Sequence, residues 1–133
     1  EFDRVVAAAR ESGAAADPIL RDRLAQAWIE LEIMRFNALR TMTSLSAGEP
    51  GPEVSIAKLY WSEWHRRLGE LAVDVRGAAG LVADAGPYEL TEAQRLLLFT
   101  RADTIYAGSS EIQRNIIAER TLGLPKDDRR STR

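Results

Sequence analysis

Apolar residues recur along most of this chain at three- and four-residue steps, the spacing of helices that bury one face. Phe2, Val5, Val6 and Ala9 predict a first helix over 2–12, stopping at Ser12-Gly13. Asp17-Pro18 follows, a capping residue with proline at the first helical position, which is a start signal. From there Leu20, Leu24, Trp28, Leu31, Met34, Ala38, Met42 and Leu45 predict about seven turns with one apolar stripe. Gly48-Glu49-Pro50-Gly51-Pro52 breaks it, because proline and glycine both disfavour helix.

A second long helix is expected over 53–77, with Val54, Ala57, Trp61, Trp64, Leu68, Leu71 and Val75 on one stripe. Residues 77–88 are rich in glycine, alanine and proline and read as an irregular connection. Thr91-Glu92-Ala93-Gln94 has the form of a capping box and opens a helix holding Leu96, Leu97 and Phe99. Glycine interrupts the pattern at Tyr106-Ala107-Gly108. Ser110-Glu111-Ile112-Gln113 reads as a second capping box, opening a helix with Ile112, Ile116, Ile117 and Leu122 that Gly123 and Pro125 end. Long helices with short links predict an all-α fold, an antiparallel four-helix bundle over residues 1–125, with 126–133 a flexible polar tail.

Composition narrows the partners. The 133 residues are 45% hydrophobic and 29% charged, an ordinary globular mixture sized for one domain. A net charge of -2 with no basic face argues against nucleic acid. No apolar run reaches the roughly 20 residues needed to span a bilayer. Cysteine is absent, which excludes disulfides and makes a reducing cytoplasm the easiest home. The opening Glu1-Phe2-Asp3-Arg4 carries no signal-peptide pattern and reads as mid-helix, so a piece of a longer protein is expected.

Several chemical candidates fall away. His65 is the lone histidine, so no histidine metal cluster or serine triad is available, and it reads as a helix-face residue near Trp64. Glu53, Glu63 and Glu70 share a helix, yet no Glu-x-x-His pair accompanies them. Trp28, Trp61 and Trp64 read as core or interface anchors. Arg66-Arg67 and Arg129-Arg130 read as solvated. No metal site is expected. The turn before the last helix differs: the first amides of a helix lack internal partners and sit at its positive end. Ser109, Ser110 and those amides therefore read either as a plain capped helix start or as a polar site for a phosphate, hydroxyl or carbonyl oxygen.

The run 105–120, Ile-Tyr-Ala-Gly-Ser-Ser-Glu-Ile-Gln-Arg-Asn-Ile-Ile-Ala-Glu-Arg, followed by Leu122-Gly123-Leu124-Pro125, resembles the C-terminal signature of acyl-CoA dehydrogenases. Ala57-Lys58, Gly77-Ala78-Ala79-Gly80 and the order of helices are similar too. The likeness spans 10–125 and corresponds to the family's last third. It implies FAD as cofactor, an acyl-CoA substrate losing its α-proton to a base and its β-hydrogen as hydride, and an acceptor of the electron-transfer flavoprotein type. It further implies a homo- or hetero-oligomer in which C-terminal helices touch a neighbour's flavin.

The same likeness distributes roles. Its usual base, a glutamate, falls on Ala107, which cannot accept a proton, so this chain has no catalytic residue there. The base then comes from an upstream helix, or the subunit is silent beside an active partner, or the parent protein has lost the activity. The amide of residue 107 would still donate to the thioester carbonyl, and Gly108 would let the ligand approach. Ser109 and Glu111 match FAD-contacting positions. Other positions depart from the pattern. Arg10 is followed by Glu11-Ser12-Gly13 with no phenylalanine, Asp74 and Ala78 replace a glutamine and a glycine, and Leu98-Phe99 replaces an Arg-Asp pair. An aspartate at 74 would repel a pyrophosphate.

Overall fold

The computed structural model describes residues 1–48, 51–82 and 89–126. Within them run helices α1 (Phe2–Glu11), α2 (Pro18–Ser46), α3 (Glu53–Asp74), α4 (Glu92–Asp103) and α5 (Ser110–Ile116). Short 3-10 turns cover Ala14–Ala16 and Gly77–Leu81, and α5 runs on into a wider π turn at Ile117–Thr121. No strand occurs among the described residues, so the chain is all-α. The expected break at Glu49-Pro50, the connection over 83–88 and the tail over 127–133 lie outside the described residues.

Local chemistry sets the boundaries. The Asp17 carboxylate accepts from the amides of Ile19 and Leu20 at 2.7 and 3.1 Å, satisfying two orphan donors of α2. Thr91 and Gln94 form the reciprocal capping box at the start of α4, and Gln94 also reaches the carbonyls of Gly80 and Val82. Helix α3 ends at Asp74, three residues short of the expected Gly77, because the chain tightens into its 3-10 turn as soon as Val75 has entered the core.

Helix α3 lies at the centre, with α2 packed on one side and α4 on the other. Pairings with α2 descend along α3 as α2 ascends, Arg23 with Asp74 and Glu30 with Arg67, so the two helices are antiparallel. Helix α4 runs antiparallel to α3 by the same logic, since Glu70 meets Arg101 while His65 meets Asp103. The core is the α3 stripe of Trp64, Leu68, Leu71, Ala72 and Val75 against Val5, Ala9, Leu24, Ala27 and Ala93. Each large apolar side chain buried there contributes about 1.5–3 kcal/mol. Trp64 adds direction, because its indole N–H donates to the Ala27 carbonyl at 2.9 Å and fixes α2 against α3.

Helix α2 departs from the single stripe expected of it. Leu24 and Ala27 are buried and Leu20, Leu31 and Met34 pack against the core, but Ile29, Ile33 and Phe36 form a second apolar face turned away from it. Phe36 is 60% exposed, and Trp28, Leu39, Met42 and Leu45 are also exposed. Both faces repeat every three to four residues, so a reading that follows one stripe absorbs or skips the other.

Helices α3 and α4 approach closely at Gly69, where an added Cβ would stand 2.4 Å from Thr100 Oγ1 and 3.1 Å from Leu97 Cα. Gly69→Ala is therefore expected to lower stability by about 1–3 kcal/mol, read as a fall in the urea midpoint at unchanged slope. An unshifted midpoint would mean that the two helices separate there without penalty.

Candidate functional site

The bend over 104–109 joins α4 to α5 at one end of the bundle. Ala107 has φ 53 and Gly108 φ 93, two successive left-handed residues, and alanine rarely adopts that conformation. Ile105, Tyr106 and Ala107 are exposed, so packing does not impose the shape. Polar bonds do. Lys58, half-buried on α3, donates from Nζ to the Asp103 carbonyl at 2.9 Å and the Gly108 carbonyl at 2.7 Å. Gln113 donates from Nε2 to the Ala107 carbonyl at 3.1 Å, and the Ser110 amide closes on the Thr104 carbonyl.

Beneath the bend lies a buried polar chain. Asp103 is fully buried. Its Oδ2 is 2.6 Å from His65 Nδ1, and its Oδ1 accepts from the Tyr106 hydroxyl at 2.5 Å. His65 Nε2 faces Glu1 Oε2 at 2.8 Å, and the Trp64 and Trp61 rings flank the imidazole. Held by Asp103, the Tyr106 phenol is pushed above its ordinary range. His65, expected to be a plain helix-face residue, is thus the hinge pin between α1, α3 and α4. The missed partner was Asp103, and the available signal was that a buried polar residue needs one.

The amides at the start of α5 are more occupied than the capping pattern implied. Ser109 is the N-cap, accepting from Ile112 N at 3.4 Å, and the Gln113 amide bonds to the Ser109 carbonyl. Ser110, expected to cap, is instead buried and donates to Glu63 at 2.9 Å. The reason is depth: Ser110 faces α3, where Glu63 requires a donor. The free donors lie one step earlier. The amides of Ala107, Gly108 and Ser109 make no hydrogen bond among the described residues. Amides that a turn leaves without a partner can meet an oxygen of a ligand.

Beside them lies a polar depression of about 330 Å³, lined by Glu63, Arg66, Thr104, Ile105, Ser109, Ser110 and Glu111. Glu111 is exposed, and its own amide and the Ser109 hydroxyl, with Arg114 nearby, hold its carboxyl below the ordinary range. Arg66, expected to be solvated, is bonded to Glu63 and Glu70, and Arg67 to Glu30. Asp74 is paired with Arg23 at 2.8 Å, which offsets its charge. Leu98 and Phe99 are exposed. A separate apolar groove of about 380 Å³ runs between α1 and α4, over Val5, Ala8, Ala93 and Leu96, away from the bend. Among the described residues no group of histidine and carboxylate side chains is placed to hold a metal ion, and no helix is long and apolar enough to cross a membrane.

A helical domain with an exposed, unsatisfied left-handed bend between its last two helices defines a class, and comparison identifies it. The model of the acyl-CoA dehydrogenase C-terminal domain matches residues 1–122, and this chain belongs to that family. The acyl-CoA dehydrogenase IpdE1 of Mycolicibacterium smegmatis is 53% identical over 127 residues, which is 96% of this chain and 31% of the relative. IpdE1 of Mycobacterium tuberculosis is likewise 53% identical, over 96% of this chain and 32% of the relative. The chain thus spans about a third of the curated relatives it matches. Among solved structures, the Tcur3481-Tcur3483 steroid ACAD matches with TM-score 0.77 at 26% identity, over 95% of this chain and 34% of that one. The ChsE4-ChsE5 complex of Mycobacterium tuberculosis matches with TM-score 0.71 at 23% identity, over 92% of this chain and 36% of that one, a likeness of fold.

Glu111 supplies a test of the local electrostatics. Its depressed folded value means that its contribution to stability is present above its ordinary value of 4.5 and is lost as pH falls through the folded value. Ser109→Ala removes one of the groups that depress it, so Glu111 should titrate nearer 4.5 in that variant, followed by carboxyl NMR shifts. Identical titration curves would show that the serine hydroxyl does not reach the carboxylate.

Proposed function

We propose that the parent protein is an FAD-dependent acyl-CoA dehydrogenase and that this domain contributes one wall of its site and part of its oligomer interface. The supporting observation is the run of unsatisfied amides at Ala107, Gly108 and Ser109 on an exposed, rigidly framed bend. Donors aimed at a thioester carbonyl stabilise the negative charge that develops when the α-proton leaves. FAD, when bound, supplies the acceptor for the β-hydrogen, which departs as hydride. Gly108, Ser109 and Glu111 are the positions proposed to meet FAD. An ionised Glu111 fits a ligand hydroxyl or ring N–H and repels a phosphate, so its partner is a hydrogen-bond donor. An electron-transfer flavoprotein is the acceptor that fits this chemistry.

Ala107 offers a methyl group where a base would stand, so the α-proton goes to a group outside this chain. That group belongs either to another part of the same protein or to a partner subunit. The second case, a subunit silent in proton transfer within a heteromeric dehydrogenase, has its own support. Two similar structures carry paired names, and Ile29, Ile33 and Phe36 on α2 form an apolar face left exposed among the described residues. The steroid ACAD among them points to a bulky polycyclic acyl group as substrate.

Full-length protein co-expressed with its subunit partner is expected to purify yellow, with a flavin absorption band that bleaches on addition of acyl-CoA. Colourless protein that takes up no added FAD would sink the reading. The double substitution Ile33→Asp and Phe36→Asp is expected to leave the helical circular dichroism intact while dissociating the assembly in sedimentation. An unchanged sedimentation coefficient would show that this face is not an interface.

A further inference from the structure

We infer that Lys58 and Gln113 are positioning residues, which aim the amides of Gly108 and Ser109 at the ligand. This inference rests on the dehydrogenase reading above. A trans peptide places its N–H opposite its C=O. Gln113 draws the Ala107 carbonyl toward α5, which turns the Gly108 amide the other way. Lys58 draws the Gly108 carbonyl toward α3, which turns the Ser109 amide outward in the same fashion. The second Lys58 bond, to the Asp103 carbonyl, ties this pull to the end of α4, where the Asp103 side chain is already locked by His65 and Tyr106. One ammonium thus ties the end of α4 to Gly108, across most of the bend.

The Ser110–Thr104 and Tyr106–Asp103 bonds fix the ends of the bend, but among the described residues only Lys58 and Gln113 bond to the carbonyls of Gly108 and Ala107. Ile105, Tyr106 and Ala107 are exposed, so no apolar packing selects the left-handed pair, and a strained backbone persists only where its surroundings over-determine it. Space sets the arrangement as well. A Cβ on Gly108 would stand 2.7 Å from Gln113 Nε2, so the glycine lets the glutamine reach the Ala107 carbonyl.

The test uses the flavin-loaded full-length protein with its subunit partner, the variants Lys58→Met and Gln113→Leu, and two readouts. One is the division of any loss between kcat and KM. The other is the red shift in ultraviolet absorption of a bound aryl-acryloyl-CoA, whose conjugated carbonyl reports the hydrogen bonds that it accepts. Each variant is expected to lower kcat about tenfold, with KM within about twofold, and to shrink the red shift by more than half, as misaimed donors do. Parent-like kcat and a full red shift in both variants would overturn the inference while leaving the dehydrogenase reading standing. A wild-type complex that binds no flavin and gives no red shift would sink that reading and this inference with it. Should Lys58→Met fail to fold, Gln113→Leu decides alone, because Gln113 lies outside the buried core and its bond to the Ala107 carbonyl is exposed.

Discussion

The buried carboxylate of Asp103 is the constraint on which this end of the molecule depends. A fully buried carboxyl group is tolerated only when its oxygens are bonded, and here His65 takes one and Tyr106 the other. Each partner carries a structural consequence. The histidine brings in α3 and, through Glu1, the start of α1. The tyrosine folds the chain back over the end of α4, so the bend begins from a fixed point. Lys58 then uses the main-chain carbonyl of the same aspartate. Removing one partner leaves a buried oxygen without a donor, a loss of about 1–3 kcal/mol. The exposed ion pairs elsewhere, such as Arg4 with Glu92, contribute far less.

How much of this was legible in the sequence follows from the range of each interaction. Caps act over two or three residues, and Asp17-Pro18 and the Thr91–Gln94 box stand as the sequence indicates. Periodicity specifies the all-α class, and the signature over 105–125 carries the family likeness in the sequence itself. What stayed hidden was long-range pairing. His65 with Asp103, Lys58 with Gly108 and Ser110 with Glu63 join residues some 40 to 50 positions apart, and no local pattern announces them. The exchange of Ser109 for Ser110 as the cap has the same origin, since two adjacent serines are indistinguishable until α3 selects one of them.

Helix α2 shows a different limit. A helix apolar on two faces fits burial between two layers, and this chain supplies only one. The face carrying Leu24 and Ala27 meets α3, while Ile33 and Phe36 on the other face are exposed among the described residues. A single stripe accounts for the helix and its core contacts, but it understates how much apolar surface α2 leaves exposed. The chain spans about a third of its relatives, so two thirds of their length lies outside it.

That division also accounts for where the chemistry resides. Position 107 contributes a methyl group, so nothing its side chain does distinguishes it from an inert residue. What the chain does spend structure on is the main chain around it: a left-handed alanine, a left-handed glycine, and two side chains from separate helices bonded to their carbonyls. A left-handed non-glycine residue is disfavoured by roughly 1–2 kcal/mol, and the bonds from Lys58 and Gln113 are of the size needed to offset it. A bend whose only task was to reverse the chain has less strained solutions, with its amides turned inward and satisfied. This one leaves the amides of Ala107, Gly108 and Ser109 without a hydrogen bond among the described residues, with Ser109 lining a polar depression. On the proposed reading, backbone geometry held by Lys58 and Gln113 is this domain's share of the site, because Ala107 has no side-chain group able to take a proton.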